Sequence, residues 1–229
     1  MLSFLMANTA FAHQPRINYT NSVPGFISLT EIGDPLVSKA YYAELDGKFE
    51  LYEFSLEEES EFYFNILVPD IQDVSTDFSA DLVRKIKETE TPEELGIMLG
   101  ENDNLVARLD GINYKWTSFY EEFAGDDYLK GPEMNLKLGT GTYLIKVYSP
   151  DNVGKYVLAT GDIESFPIDE IIHTVKTLPT LKTDFFGKPA YTAFTNLVGL
   201  FLGVSLLVMA ALVVFVYFAG RKILKKLGK

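Results

Sequence analysis

The chain has 229 residues, 32 acidic against 20 basic side chains, a formal charge of −12 at neutral pH, and no cysteine. The last point excludes a disulfide framework, a thiol nucleophile and a thiolate metal site. Five of the basic residues fall in the last nine positions, so 15 cations face 32 anions elsewhere, near −17, a field that disfavours nucleic acid and anionic lipid and favours cations or basic partners.

Residues 1–12 (MLSFLMANTAFA) are apolar or small and end in Ala10-Phe11-Ala12, the small-x-small pattern of a signal-peptidase site. They lack a basic leading region and are short for a signal, so they read as the remnant of one whose start lies upstream. Cleavage there leaves His13 at the mature N-terminus. Its α-amine and imidazole together suit the tetragonal preference of Cu(II), which makes His13 the candidate metal residue. The only other imidazole is His173, so a carboxylate or water would otherwise complete the set. Asn18-Tyr19-Thr20 has the pattern of a glycan acceptor.

From residue 39 to 161 the hydrophobic period is two. Phe62, Phe64, Ile66 and Val68 share one face of a strand, and Tyr143, Ile145 and Val147 share one face of another. Further strands are expected at 39–45, 48–54, 78–86, 104–109, 114–119 and 134–138, with Asp46-Gly47 and Asp110-Gly111 as hairpin-type turns. Eight or nine short strands with frequent turns predict an all-β, antiparallel β-sandwich of the jelly-roll kind over 13–164. Thr91-Pro92-Glu93-Glu94 carries an N-cap, an N1 proline and a capping-box Glu, which predicts a short helix over 92–99.

Residues 113–132 are the segment densest in aromatic and acidic side chains and hold the single Trp. Trp116 and Phe119 are expected to close one end of the core. Tyr120, Phe123, Asp126, Asp127 and Tyr128 are the candidate binding residues: the rings can stack a sugar or anchor a partner protein, and the carboxylates supply polar contacts or hard oxygen ligands for calcium. Gly139-Thr140-Gly141-Thr142 precedes a strand, so it reads as a turn and not a phosphate loop.

A helix is expected over 167–178, with Ile168, Ile171, Ile172 and Val175 forming a stripe that packs on the sandwich and His173 on its solvated side. Lying on a bilayer surface is the alternative for this stripe. Residues 165–190 then form a juxtamembrane helix and linker. The run 197–218 carries no charge, and 22 residues at helical rise cover about 33 Å, enough to cross a bilayer's hydrocarbon. With its aromatic flanks the span is placed at 191–219, and the basic tail 220–229 puts the C-terminus in the cytoplasm and the preceding domain outside. Gly199 and Gly203 form a GxxxG pair through which two spans can approach closely and dimerise.

The strand pattern resembles the bacterial pre-peptidase C-terminal domain. The family's opening pair of strands is matched by Tyr41-Tyr42-Ala43-Glu44-Leu45-Asp46-Gly47 and Tyr52-Glu53-Phe54-Ser55-Leu56. Its close is matched by Gly141-Thr142-Tyr143-Leu144-Ile145-Lys146-Val147 and Gly154-Lys155-Tyr156-Val157-Leu158. The match runs over about residues 39–161, with a longer middle at 84–132. The resemblance implies a sandwich used for binding, targeting or spacing, without catalytic residues. The eukaryotic GOLD-domain cargo receptors share the layout but carry a disulfide that this chain lacks. No GxSxG, HExxH, Walker or dinucleotide loop occurs. The sequence therefore predicts a single-pass membrane protein with an extracytoplasmic binding module, no catalytic residue and no nucleic-acid partner. The alternatives are copper binding through His13 and an accessory role in a larger membrane complex.

Overall fold

The computed structural model describes residues 13–19, 27–85 and 105–226. The helix expected at 92–99 lies outside them. Eleven strands occur among the described residues: β1 Gln14–Ile17, β2 Leu29–Glu31, β3 Lys39–Asp46, β4 Glu50–Leu56, β5 Ser60–Pro69, β6 Ser79–Arg84, β7 Leu105–Leu109, β8 Thr117–Glu121, β9 Asp126–Leu138, β10 Gly141–Tyr148 and β11 Val153–Thr160. They form two sheets, with the orders β1-β3-β11-β5-β9-β8 and β2-β4-β10-β6-β7. The period-two faces meet between them as expected. Phe62, Phe64, Ile66 and Val68 of β5 are fully buried with Tyr52, Phe54, Tyr143, Ile145 and Tyr156. Phe54 and Phe62 stack at 4.3 Å between centroids, and Phe54 and Tyr143 at 5.4 Å.

Two edges depart from the antiparallel expectation. β1 pairs with β3, and β2 with β4, in parallel. A parallel neighbour needs a long crossover, which residues 18–38 and 32–49 provide. One end of the core is polar. The buried Glu50 carboxylate accepts hydrogen bonds from Tyr52 (3.1 Å), Tyr156 (2.7 Å) and Asn18 Nδ2 (3.1 Å). The glycan-pattern Asn18 is thus part of the interior, with its amide already engaged.

A third layer covers the outer face of the six-stranded sheet. It comprises α1 (Ile168–Thr180), a wide π-type turn at Leu181–Phe185 and a 3-10 turn at Ala190–Phe194. This corrects two expectations. The isoleucine stripe is not the buried face: Ile168 is 77% exposed and Ile172 49%, Ile171 and Val175 are half-buried, and Thr174, Thr177 and Leu178 are buried. Nor is the stretch beyond Pro179 a linker, since Leu181, Lys182, Phe185 and Phe186 are all buried. The two errors share one cause. The side that α1 buries is set by Leu178, Leu181 and Phe185, which lie at and past the proline where the sequence reading ended the helix. Two phenylalanines bury more apolar area than the isoleucines they displace. The last helix, α2 (Leu197–Lys226), includes a stretch from Leu197 to Lys222 long and apolar enough to cross a membrane, with almost none of it buried.

Candidate functional site

Between the outer sheet face and the third layer lies a cavity of about 380 Å³. Its floor comes from side chains that point away from the sandwich core: Ala40 and Tyr42 of β3, Val157 and Ala159 of β11, Leu67 of β5. Phe119, Phe123 and Tyr128 form one wall, and Thr174 and Leu178 of α1 face them from the third layer. The opposite rim carries His13, Tyr63, Lys130, Glu133 and Asp162. There Tyr63 donates to Glu133 at 2.7 Å and Lys130 pairs with the same carboxylate at 2.8 Å.

A bulge shapes the floor. Between the pairs Asn65–Glu133 and Leu67–Lys130, Gly131 and Pro132 of β9 face the single residue Ile66 of β5. A Cβ on Gly131 would come within 2.6 Å of the Trp116 ring, so glycine is what lets the bulge sit against the indole. Beside the bulge, Asn65 is 4% exposed and lines the cavity, and its Oδ1 has no hydrogen-bond partner among the described residues. Thr174 Oγ1, on the third-layer side, is equally buried and without a partner. Native interiors rarely leave such atoms unsatisfied.

The remaining polar groups near the wall are engaged. The Tyr42 and Tyr128 hydroxyls lie 2.9 Å apart, and burial pushes both phenols well above their ordinary range, so they stay neutral. Glu121 accepts the backbone N–H groups of Phe123 (2.8 Å) and Ala124 (2.7 Å), which fixes the β8–β9 turn. Burial nonetheless raises its pKa above the ordinary 4.5, with those two bonds opposing. The same turn holds the root of α2. Val198 N–H donates to the Phe123 carbonyl at 3.3 Å, and Asn196 Nδ2 and Lys182 Nζ both reach the Ala124 carbonyl.

Strand alternation divides the residues that the sequence nominated for binding. Tyr128 faces the cavity, and Phe123 forms its edge, 6.2 Å from the ring of Phe166. Asp126 is buried, with Lys182 at 2.6 Å and Lys188 at 3.1 Å on its two oxygens. Its carboxylate is therefore committed to ammonium groups and not open to calcium. Tyr120 and Asp127, opposite each other in the β8–β9 register, point the other way and are exposed. Phe119 stands on the outer wall, 6.3 Å from Tyr128, and not in the core; Trp116 is partly buried against the core and donates Nε1–H to Gly111 at 2.9 Å.

Among the described residues, no three His, Cys, Asp or Glu side chains gather as a metal-ligand set. His173 Nε2 lies 3.2 Å from the Pro15 carbonyl and, as N–H, donates to it. Of the two span glycines, Gly199 already serves its own chain, because a Cβ there would come 1.8 Å from the Phe194 carbonyl oxygen. Gly203 has open space around it.

The sequence missed the cavity floor and its two unpartnered polar atoms. One signal was available: β3 and β11 are apolar on both faces (Ala40-Tyr41-Tyr42-Ala43 and Tyr156-Val157-Leu158-Ala159), which demands a covering layer on each side.

No family model matches the chain, and no curated protein does. Among solved structures, it is similar to the pre-peptidase C-terminal domain of a collagenase from Bacillus anthracis, at 15% identity over 58% of this chain and 93% of that one, with a TM-score of 0.34. It is also similar to PliG from Aeromonas hydrophila, a periplasmic inhibitor of g-type lysozyme (13% identity, 59% and 96% coverage, TM-score 0.37). A third is CorA from Methylomicrobium album BG8, a surface-associated copper-binding protein (9% identity, 62% and 99% coverage, TM-score 0.30). The family that the strand pattern resembles is thus among the similar structures.

Proposed function

We propose that this chain is an extracytoplasmic binding module, anchored by α2, which holds a small, largely apolar ligand in the cavity between the six-stranded sheet and the third layer, without catalysing a reaction. The observation that carries this reading is the cavity itself: aromatic and aliphatic walls around about 380 Å³, with two buried polar atoms that lack partners among the described residues. Ligand sites typically combine an apolar lining with a few placed polar groups. The orientation rests on the basic residues that follow the span and on the signal-like residues 1–12. Self-association through Gly203 is proposed as an accessory property, and Gly203→Leu weakens it in a membrane two-hybrid assay if two copies pack there.

The test is photolabelling of the full chain in lipid nanodiscs with a diazirine-bearing dodecyl probe, followed by peptide mapping. Labels concentrate on β3, β11 and α1, and Ala159→Leu or Ala40→Leu, each filling the floor, removes them while the melting temperature shows a folded protein. Labels confined to α2 and unaffected by both variants would overturn the reading.

A further inference from the structure

Taking the cavity as the binding site, we infer that its ligand is an uncharged amphiphile: one apolar body with a single hydroxyl or amide head held between Asn65 and Thr174. Size sets the body. A space of about 380 Å³ would hold about a dozen waters at liquid density, so it accepts a body of about that many non-hydrogen atoms. Water can serve the polar rim and the Asn65 and Thr174 atoms, but Ala40, Leu67, Val157, Ala159 and Leu178 offer it no hydrogen bonds, so an apolar body fills that part better.

The two unpartnered atoms set the head. Asn65 Oδ1 accepts, and Thr174 Oγ1 both donates and accepts; they stand on opposite layers of the same cavity. Each costs stability while unsatisfied, and a hydroxyl or primary amide donates to one and accepts from the other. Charge excludes the ionic heads. A carboxylate or phosphate would enter a cavity lined by Glu121, Glu133 and Asp162, where Lys130 is already paired with Glu133 and His13, at the rim, is already engaged. An ammonium would find Glu121 with its oxygens on two backbone N–H groups, Glu133 shared by Lys130 and Tyr63, and Asp162 only at the solvent-exposed rim, not beside buried Asn65 and Thr174. A charge buried without a dedicated partner is strongly unfavourable.

The bilayer is the source the geometry favours. Phe123 and Ala124, which line the cavity, carry the carbonyls that receive Val198 and Asn196 at the root of the span. The route from the lipid surface to the cavity therefore crosses one turn of protein.

The experiment uses the full chain in nanodiscs and four dodecyl diazirine probes that differ only at the head: alcohol, carboxylate, amine and none. The alcohol labels the cavity peptides most, and untagged dodecanol or dodecanamide competes it away. Thr174→Val and Asn65→Leu each lower alcohol labelling about tenfold, leave the headless probe unchanged, and melt at or above the wild-type temperature because each removes an unsatisfied polar atom. Loading the alcohol into the nanodisc lipid before adding protein labels the cavity as well as adding it from solution does; labelling only from solution would overturn the bilayer source. Equal labelling by the alcohol probe in wild type and variants, or stronger labelling by the carboxylate or amine, would overturn the head assignment and leave the cavity reading intact. No cavity labelling by any of the four would overturn both.

Discussion

Asp126 shows how one side chain can look like a ligand in sequence and act as a rivet in the fold. Its carboxylate, Lys182 Nζ and the Ala124 carbonyl are all buried, at 2.6 Å from the ammonium to each oxygen. Removing one partner of a buried pair leaves the other charge stranded, which costs about 3–5 kcal/mol. Asp126→Ala is expected to lose that much in urea unfolding of the detergent-solubilised chain, followed by Trp116 fluorescence. The double change Asp126→Leu with Lys182→Met recovers most of it, since an apolar pair of similar volume carries no desolvation penalty. Glu121 gives a pH signature. Its folded pKa lies above the ordinary 4.5, so the folded state binds the proton more tightly than the unfolded chain. The stability this confers is present at low pH and is lost as pH rises from 4.5 through the raised value. The wild type is therefore expected to gain more stability than Glu121→Gln when pH is lowered through that window. Equal slopes in denaturation midpoint against pH would remove the claim.

At the scale of elements, the rotation of α1 is the main surprise, and it is directly measurable. Leu178 is 3% exposed, so Leu178→Ala is expected to cost about 2–5 kcal/mol. Ile168→Ala, at an exposed position, is expected to change stability by no more than about 0.5 kcal/mol. The opposite ranking would restore the isoleucine face as the buried one. The strands were easier to read than this helix. In β5 or β10 the alternation alone selects the inner face, because a one-residue slip would bury the wrong set. In α1 two apolar faces compete, and the winner is set by Leu178, Leu181 and Phe185, which continue the buried stripe past Pro179, beyond a helix expected to end at 178. The parallel edges were also hidden, since pairing direction leaves no trace in residue pattern. Gly199 adds a caution for experiments on α2: its tight approach to Phe194 makes Gly199→Leu a lesion of the root, whereas Gly203→Leu probes only the open side of the helix.

At the scale of the whole molecule, the orientation proposed for the span can be read chemically because the chain has no cysteine. A single Glu58→Cys, on an exposed turn, is expected to react with an impermeant maleimide in sealed right-side-out vesicles, and Gly228→Cys only after permeabilisation. Reversed accessibility would put the module in the cytoplasm. The sandwich and the apolar helix were legible from hydropathy and spacing; of the covering layer, only a helix near 167–178 was. The cavity was not, because it is built from positions between 13 and 178 that only the sheet order brings together. Tyr128 and Phe123 were found through local aromatic density, and Asn65 was passed over as one polar residue in an apolar strand.

The tie between β1 and the third layer has a temporal consequence. Gln14 donates to the Ser165 carbonyl at 2.6 Å, and Arg16 pairs with Glu170 at 2.8 Å, partners about 150 positions further along the chain. A growing polypeptide has made β1 long before it has made residues 165–170. Its strand partner β3 follows soon after, so β1 can pair early, but its tie to the third layer must wait until almost the entire module has been synthesised. Closure of such distant contacts is slow. Fastening of β1 to the third layer is thus expected among the last events of maturation, after the sheet it edges has paired.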